Sequence, residues 1–172
     1  MAVQGLGGEV LKAFGSPIAY NAEQQQGGGR TLSGGAARHN VICIGTEAGG
    51  SGHVTRSALR MVERGVNNML VHLGVLPRSA HIAPDQPTRM LEVGGACYFV
   101  YAPENGLFES LVELGDTVRA GQPAARIHLP ETPWTEPATA HFAHDGFVLC
   151  KRVPGRTRRG DCLFHLGTDS SL

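Results

Sequence analysis

Glu47 is the only carboxylate in the stretch Val41-Ile42-Cys43-Ile44-Gly45-Thr46-Glu47-Ala48-Gly49-Gly50-Ser51-Gly52. An apolar run that empties into one carboxylate and a glycine-rich turn puts a proton acceptor at a strand end. In open α/β sheets ligands enter the crevice beyond such ends. A carboxylate held there can take a proton from water and hand it to a leaving group. The alternative is a loop carboxylate solvated like most surface acids.

Other groupings carry less. Gly49-Gly50-Ser51-Gly52 between a strand and a helix has the look of a phosphate loop. It lacks the Gly-Lys-Ser/Thr of a Walker loop, Thr55 stands where the dinucleotide fingerprint needs Gly or Ala, and Glu47 would repel phosphate. His128-Leu129-Pro130-Glu131 has a His-x-x-Glu spacing seen at zinc sites, but proline interrupts the frame that would aim both groups at one ion. His141 and His144 are three apart in a strand-like run and so face opposite sides. These histidines, with His39, His53, His72, His81 and His165, read as surface or structural residues. His53 alone shares a loop with Glu47.

The run Val41 to Ile44 reads as a strand buried on both faces, as in the interior of a parallel sheet. Beyond the glycines, Thr55 is a candidate N-cap. Leu59, Val62, Val66, Met69, Leu70 and Leu73 then recur at helical spacing, with Arg60, Glu63, Arg64, Asn67 and Asn68 on another face. Gly74 and Pro77 end that helix. Upstream, Val10, Leu11 and Phe14 mark a short helix closed by Gly15, Pro17 to Tyr20 a short strand, and Leu32 to Arg38 a brief helix with Thr31 or Ser33 at its start. Gln24 to Gly29 is a polar low-complexity tract expected to be a surface loop. This is too little to build a doubly covered sheet, so either the sheet is small or the chain is the tail of a larger α/β domain.

From Pro77 short strand-like runs alternate with glycine and proline, which places a domain boundary there and gives domains 1–76 and 77–172. The second contains a repeat, about 98–128 and 140–168. Pro103-Glu104-Asn105-Gly106-Leu107-Phe108 matches Ala143-His144-Asp145-Gly146-Phe147-Val148, and Gly115 and Gly121 match Gly155 and Gly160. Two such copies predict a β sandwich or flattened barrel. The pattern resembles biotinyl and lipoyl carrier domains in architecture. The joining segment Leu129 to Glu136 has no lysine, so a swinging arm is not expected.

The chain has 172 residues with 15 basic and 15 acidic side chains, so no global field favours nucleic acid or an anionic membrane. Arg152, Arg156, Arg158 and Arg159 form a local cluster that reads as a solvated hairpin tip. No apolar run has the length of a membrane span and the start is unlike a signal peptide, so a cytoplasmic location is expected. Cys43, Cys97, Cys150 and Cys162 fall singly in apolar runs, as small buried hydrophobes would.

Ala13-Phe14-Gly15-Ser16-Pro17, the Gly45 to Gly52 loop, the helix ending Val71-His72-Leu73-Gly74-Val75-Leu76, and the repeat with Gly115-Asp116-Thr117-Val118 and Gly160-Asp161 together resemble the C-terminal half of the succinylglutamate desuccinylase/aspartoacylase family. Within it the pattern is most similar to the branch that deacetylates N-acetylated diaminobutyrate. The resemblance implies a zinc-carboxypeptidase-like α/β portion followed by a β domain. It implies hydrolysis of the amide of a small N-acylated amino acid, with zinc as cofactor and Glu47 as general base. The family's zinc ligands, a His-x-x-Glu motif and a later histidine, and its substrate-carboxylate grip precede the region matched here and have no counterpart in this chain. Two expectations follow. One is an enzyme half that needs an N-terminal partner polypeptide; the other is a binding or oligomerisation module without chemistry. In both, the unpaired edge of the Val41 strand predicts self-association.

Overall fold

The computed structural model describes residues 2–5, 8–21, 30–50 and 52–170, which leaves the Gln24 to Gly29 tract and Ser51 outside the described residues. The chain is mixed α/β and divides into two compact units, 1–92 with 169–172, and 93–168.

The first unit is a small sheet with helices. Strand β1 (Ala2–Gly5) runs parallel to β2 (Ile18–Asn21), and β2 runs parallel to β4 (Arg89–Glu92). Strand β3 (Ile44–Thr46) lies antiparallel on the outer side of β1, with Val3 opposite Thr46. Helix α1 (Gly8–Phe14) connects β1 to β2, as a parallel pair requires, and Gly15 at φ +70° ends it. Leu11, Phe14, Ala19 and Met90 form the core, flanked by Ile44 and Met69. Helix α2 (Leu32–Arg38) starts at Thr31, whose hydroxyl accepts from the Gly34 N–H at 3.1 Å.

Helix α3 (Arg56–His72) is where the pattern and the structure part. The residues it buries are Ala58, Gly65 and Asn68, while Leu59, Val66 and Leu73 are exposed. Small residues let α3 approach α1 closely. A Cβ on Gly65 would stand 2.4 Å from the Phe14 ring. Three of the polar residues on the other face, Arg64, Asn67 and Asn68, clamp the segment that follows. Asn68 donates from Nδ2 to Ile82 O at 2.8 Å and accepts the Ile82 N–H at 2.9 Å, imitating one rung of a strand pair. Asn67 donates to Ala80 O at 2.7 Å, and Arg64 donates to Asp85 at 2.9 Å and to Gly15 O at 3.1 Å.

These bonds, with the pairing of β4 on β2, correct the boundary expected at residue 76. Residues 77–92 belong to the first unit, and the division falls between Glu92 and Val93. The proline-rich spacing there marks a clamped connection, not a linker.

The second unit has two antiparallel sheets. One contains β5 (Phe99–Tyr101), β7 (Thr117–Val118), β10 (Gly146–Lys151) and β12 (Cys162–Asp169), ordered β5-β12-β10-β7. The other contains β6 (Gly106–Ser110), β8 (Pro123–His128), β9 (Ala138–His141) and β11 (Arg156–Thr157), ordered β11-β6-β8-β9. Phe142, Phe164, Ile127, Leu163, Leu166, Val118 and Val148 form its core. Each such side chain contributes about 1.5–3 kcal/mol by leaving water.

Equivalent positions make equivalent bonds across this unit. Asn105 Oδ1 accepts the Arg159 N–H at 2.9 Å, and Asp145 Oδ1 accepts the Ala120 N–H at 2.7 Å. Gly160 donates to Ala102 O at 2.9 Å, and Gly121 to Phe142 O at 2.8 Å. Gly121 and Gly160 stand at φ +81° and +86°, the left-handed region that glycine enters without strain.

Candidate functional site

Glu47 is the first residue past the carboxyl end of β3. But β3 runs antiparallel to β1, so that end lies beside the amino end of β1 and not at the carboxyl ends of the parallel strands, where the sequence placed it. The strand itself differs. Only Ile44 to Thr46 pair, antiparallel and at the sheet edge, and Val41 and Ile42 are 56% and 59% exposed. The expectation of an interior parallel strand is therefore corrected: among the described residues nothing pairs with β3 beyond β1, so its apolar approach has no cover. Asn40 at φ +54° and the Val41 N–H, which donates to Ala36 O at 2.9 Å, tie that approach back to α2.

After Glu47 the chain reverses tightly. Gly49 sits at φ +103°, and a Cβ on it would lie 2.0 Å from His53 O. The His53 N–H donates to Gly50 O at 2.9 Å, closing the turn. The Thr55 hydroxyl then accepts the Ala58 N–H at 3.1 Å and starts α3. Glu47 is thus fixed between a paired strand and a capped helix by a turn only glycine can make. Its side chain is exposed.

The other candidates resolve differently. His128 ends β8 and its Nε2 lies 2.6 Å from Glu109, so its ring is engaged by the neighbouring strand and not by Glu131. His144 stacks on Tyr98 with ring centroids 4.5 Å apart. His165 stacks on Phe99 at 4.1 Å, and burial depresses its pKa. His53 is exposed in the Glu47 loop. In the arginine cluster, Arg152 donates to Asp161 at 2.9 Å, while Arg156, Arg158 and Arg159 are exposed. The cysteines are not buried hydrophobes: Cys97, Cys150 and Cys162 are exposed and Cys43 is intermediate. Cys150 and Cys162 lie in strands, while Cys97 sits in a short turn and Cys43 just before β3.

Among the described residues no group of three or more His, Cys, Asp or Glu could hold a metal ion. The donors present do not fit the zinc that the resemblance implies, since the one His-x-x-Glu pair is broken by the Glu109 contact. No helix among them is long and apolar enough to cross a membrane. What sequence reasoning missed is the polar clamp of Arg64, Asn67 and Asn68. Its signal was two adjacent asparagines inside an apolar helix, where they lower helix propensity.

No family model matches the sequence. The chain is 32% identical over 155 residues to the N-alpha-acetyl-L-2,4-diaminobutyric acid deacetylase of Halomonas elongata, covering 90% of this chain and 45% of that protein. A succinylglutamate desuccinylase/aspartoacylase from Rhodobacter sphaeroides superposes with a TM-score of 0.86 at 29% identity, over 99% of this chain and 54% of that one. The ectoine utilization protein EutE (DoeB) from Ruegeria pomeroyi does so with 0.82 at 25% identity, over 92% and 49%. The chain spans about half the length of the relatives it matches.

Proposed function

We propose that this chain, a relative of the succinylglutamate desuccinylase/aspartoacylase family over about half that family's length, is the C-terminal portion of a deacylase acting on a small N-acylated amino acid. The observation that supports this reading is Glu47, held just past the end of β3 by the turn from Gly49 to His53. A carboxylate so placed takes the proton of an attacking water and returns it to the amine that leaves. N-acetyl-diaminobutyrate and succinylglutamate are the substrates to try first, since proteins of those names are among the relatives.

The described residues do not fit a zinc ion, so in this reading any metal ligands come with the complementary half. Alone, the chain has no deacylase activity, and its open β3 edge drives self-association. The second unit is a β sandwich of two repeated halves, β5–β8 and β9–β12, a reading supported by their matched hydrogen bonds. The cytoplasmic location expected from the sequence belongs to the same proposal.

The test is reconstitution. The chain is assayed for release of acetate from N-acetyl-diaminobutyrate, alone and with the part of the Halomonas elongata deacetylase that it does not match. Activity in the mixture and none in either half supports an enzyme half. Assembly without hydrolysis of any N-acylated amino acid would leave the alternative, a non-catalytic binding or oligomerisation module.

A further inference from the structure

Helix α3 carries an apolar stripe that its own unit does not use. Leu59, Val66 and Leu73 follow each other at intervals of seven and are 49%, 47% and 60% exposed, with Val62 and Leu70 half-buried between them. Seven residues are close to two helical turns, so the three lie along one line, the geometry of a helix-packing seam. The stripe is distinct from the buried face of α3, which carries Ala58 and Gly65, the latter against Phe14 of α1. It is also distinct from the face that clamps residues 80–85 through Arg64, Asn67 and Asn68. Apolar residues placed so regularly on an outward face mark an interaction surface.

We propose that the Leu59, Val66 and Leu73 seam docks a polypeptide equivalent to the half of the relatives that this chain does not match, by helix against helix packing. The seam lies in the same unit as the second uncovered feature, the outer edge of β3 with exposed Val41 and Ile42. Ile44 of β3 and Met69 of α3 flank the same core cluster. One occupant that supplies both a strand and an apolar helix face is an α/β polypeptide. The Rhodobacter sphaeroides relative has this fold over 99% of the chain and carries nearly half its own length besides. A second copy of the chain would present only the same surface again and leave that additional length without a seat. The inference rests on the enzyme-half reading and adds the surface through which the halves meet.

The test measures binding of the unmatched portions of the Halomonas elongata and Rhodobacter sphaeroides proteins by sedimentation, using wild type, the double variant Leu59→Glu with Val66→Glu, and Arg60→Glu. Circular dichroism checks that the variants keep their helices, as exposed positions should. The expected result is a one-to-one complex with at least one of the two portions, weakened by about tenfold or more in the double variant, as for loss of central apolar anchors, and unchanged in Arg60→Glu. The milder Leu73→Ser gives a smaller loss in the same direction. Binding of neither portion overturns the proposal, as does binding equally tight in the double variant. A homodimer that the double variant splits, with neither portion binding, assigns the seam to a second copy and also overturns it. A complex that depends on the seam but hydrolyses nothing defeats the deacylase reading and leaves the docking surface standing. A complex that hydrolyses substrate yet ignores the seam variants does the reverse.

Discussion

The ring of Phe14 occupies the space that a side chain on Gly65 would need, with its Cζ 2.4 Å from the Cβ position. This contact sets the rotation of α3 about its axis. It buries Ala58 and Gly65 and thereby turns Leu59, Val66 and Leu73 outward. Gly65→Ala therefore destabilises the first unit even though alanine is the better helix former. Overpacking costs about 1–3 kcal/mol and the propensity gain returns about 1 kcal/mol at most. Chemical denaturation followed by far-ultraviolet circular dichroism measures the difference, and a stabilised variant would mean that α1 and α3 pack in another way.

Asn68→Ala should cost more than its size suggests. The amide pairs with both the N–H and the carbonyl of Ile82, at 2.9 and 2.8 Å, in a side chain 1% exposed. Removing it leaves partly buried backbone groups without partners, worth about 1–3 kcal/mol each. Amide hydrogen exchange at Ile82 should accelerate in the variant. Unchanged exchange there would show that the clamp does not hold residues 80–85.

The carboxylate of Asp161 accepts the Arg158 N–H at 2.9 Å, and that bond, followed by the charges of Arg152 and Arg158, holds its pKa below the usual range against a smaller opposing desolvation. Asp169 is held low by Arg89, which donates from Nε and Nη2 at 2.6 and 2.9 Å. Both folded pKa values are depressed. Their stabilisation is thus complete above the unfolded carboxylate value of about 3.9 and is lost as the pH falls through the folded values. The gap in melting temperature between wild type and Asp161→Asn should be widest near neutrality and close below about pH 3.9. A gap independent of pH would remove charge from the explanation.

His165 titrates with the opposite charge change. Burial lowers its pKa, and its Nε2 has no hydrogen-bond partner among the described residues. Protonation is easier in the unfolded chain, so stability falls as the pH drops below the ordinary histidine value of about 6.5 towards the folded one. His165→Phe keeps the stack on Phe99 and should flatten the melting profile between about pH 7 and 5. Direct titration of the ring by nuclear magnetic resonance should give a value below that of a model histidine.

Much of the first unit was legible because local signals suffice there. Thr31 and Thr55 cap the helices that follow them, Gly15 closes α1, and Ile18 to Asn21 form a strand where Pro17 to Tyr20 suggested one. Periodicity alone could not choose between two apolar stripes on α3 about a quarter turn apart. The deciding contact, Gly65 on Phe14, comes from another helix, and the better-looking stripe of larger residues is the exposed one. Strand β1 escaped notice because Ala2-Val3-Gln4-Gly5 has little strand propensity of its own and is held by parallel pairing to β2. The Val41 run looked interior because its composition was suited to partners that the described residues do not supply. That Glu47 follows a strand and precedes a glycine turn was legible because an apolar run, one carboxylate and a glycine turn are neighbours along the chain.

Whether Glu47 moves the proton is measured most directly by the rate of acetate release from N-acetyl-diaminobutyrate by the reconstituted pair carrying Glu47→Gln. Glutamine keeps the shape and removes the basic oxygen, so the complex should form with unchanged affinity while turnover falls by about 10²–10⁴-fold. Turnover equal to that of the unsubstituted pair would contradict the assignment of Glu47 as the base.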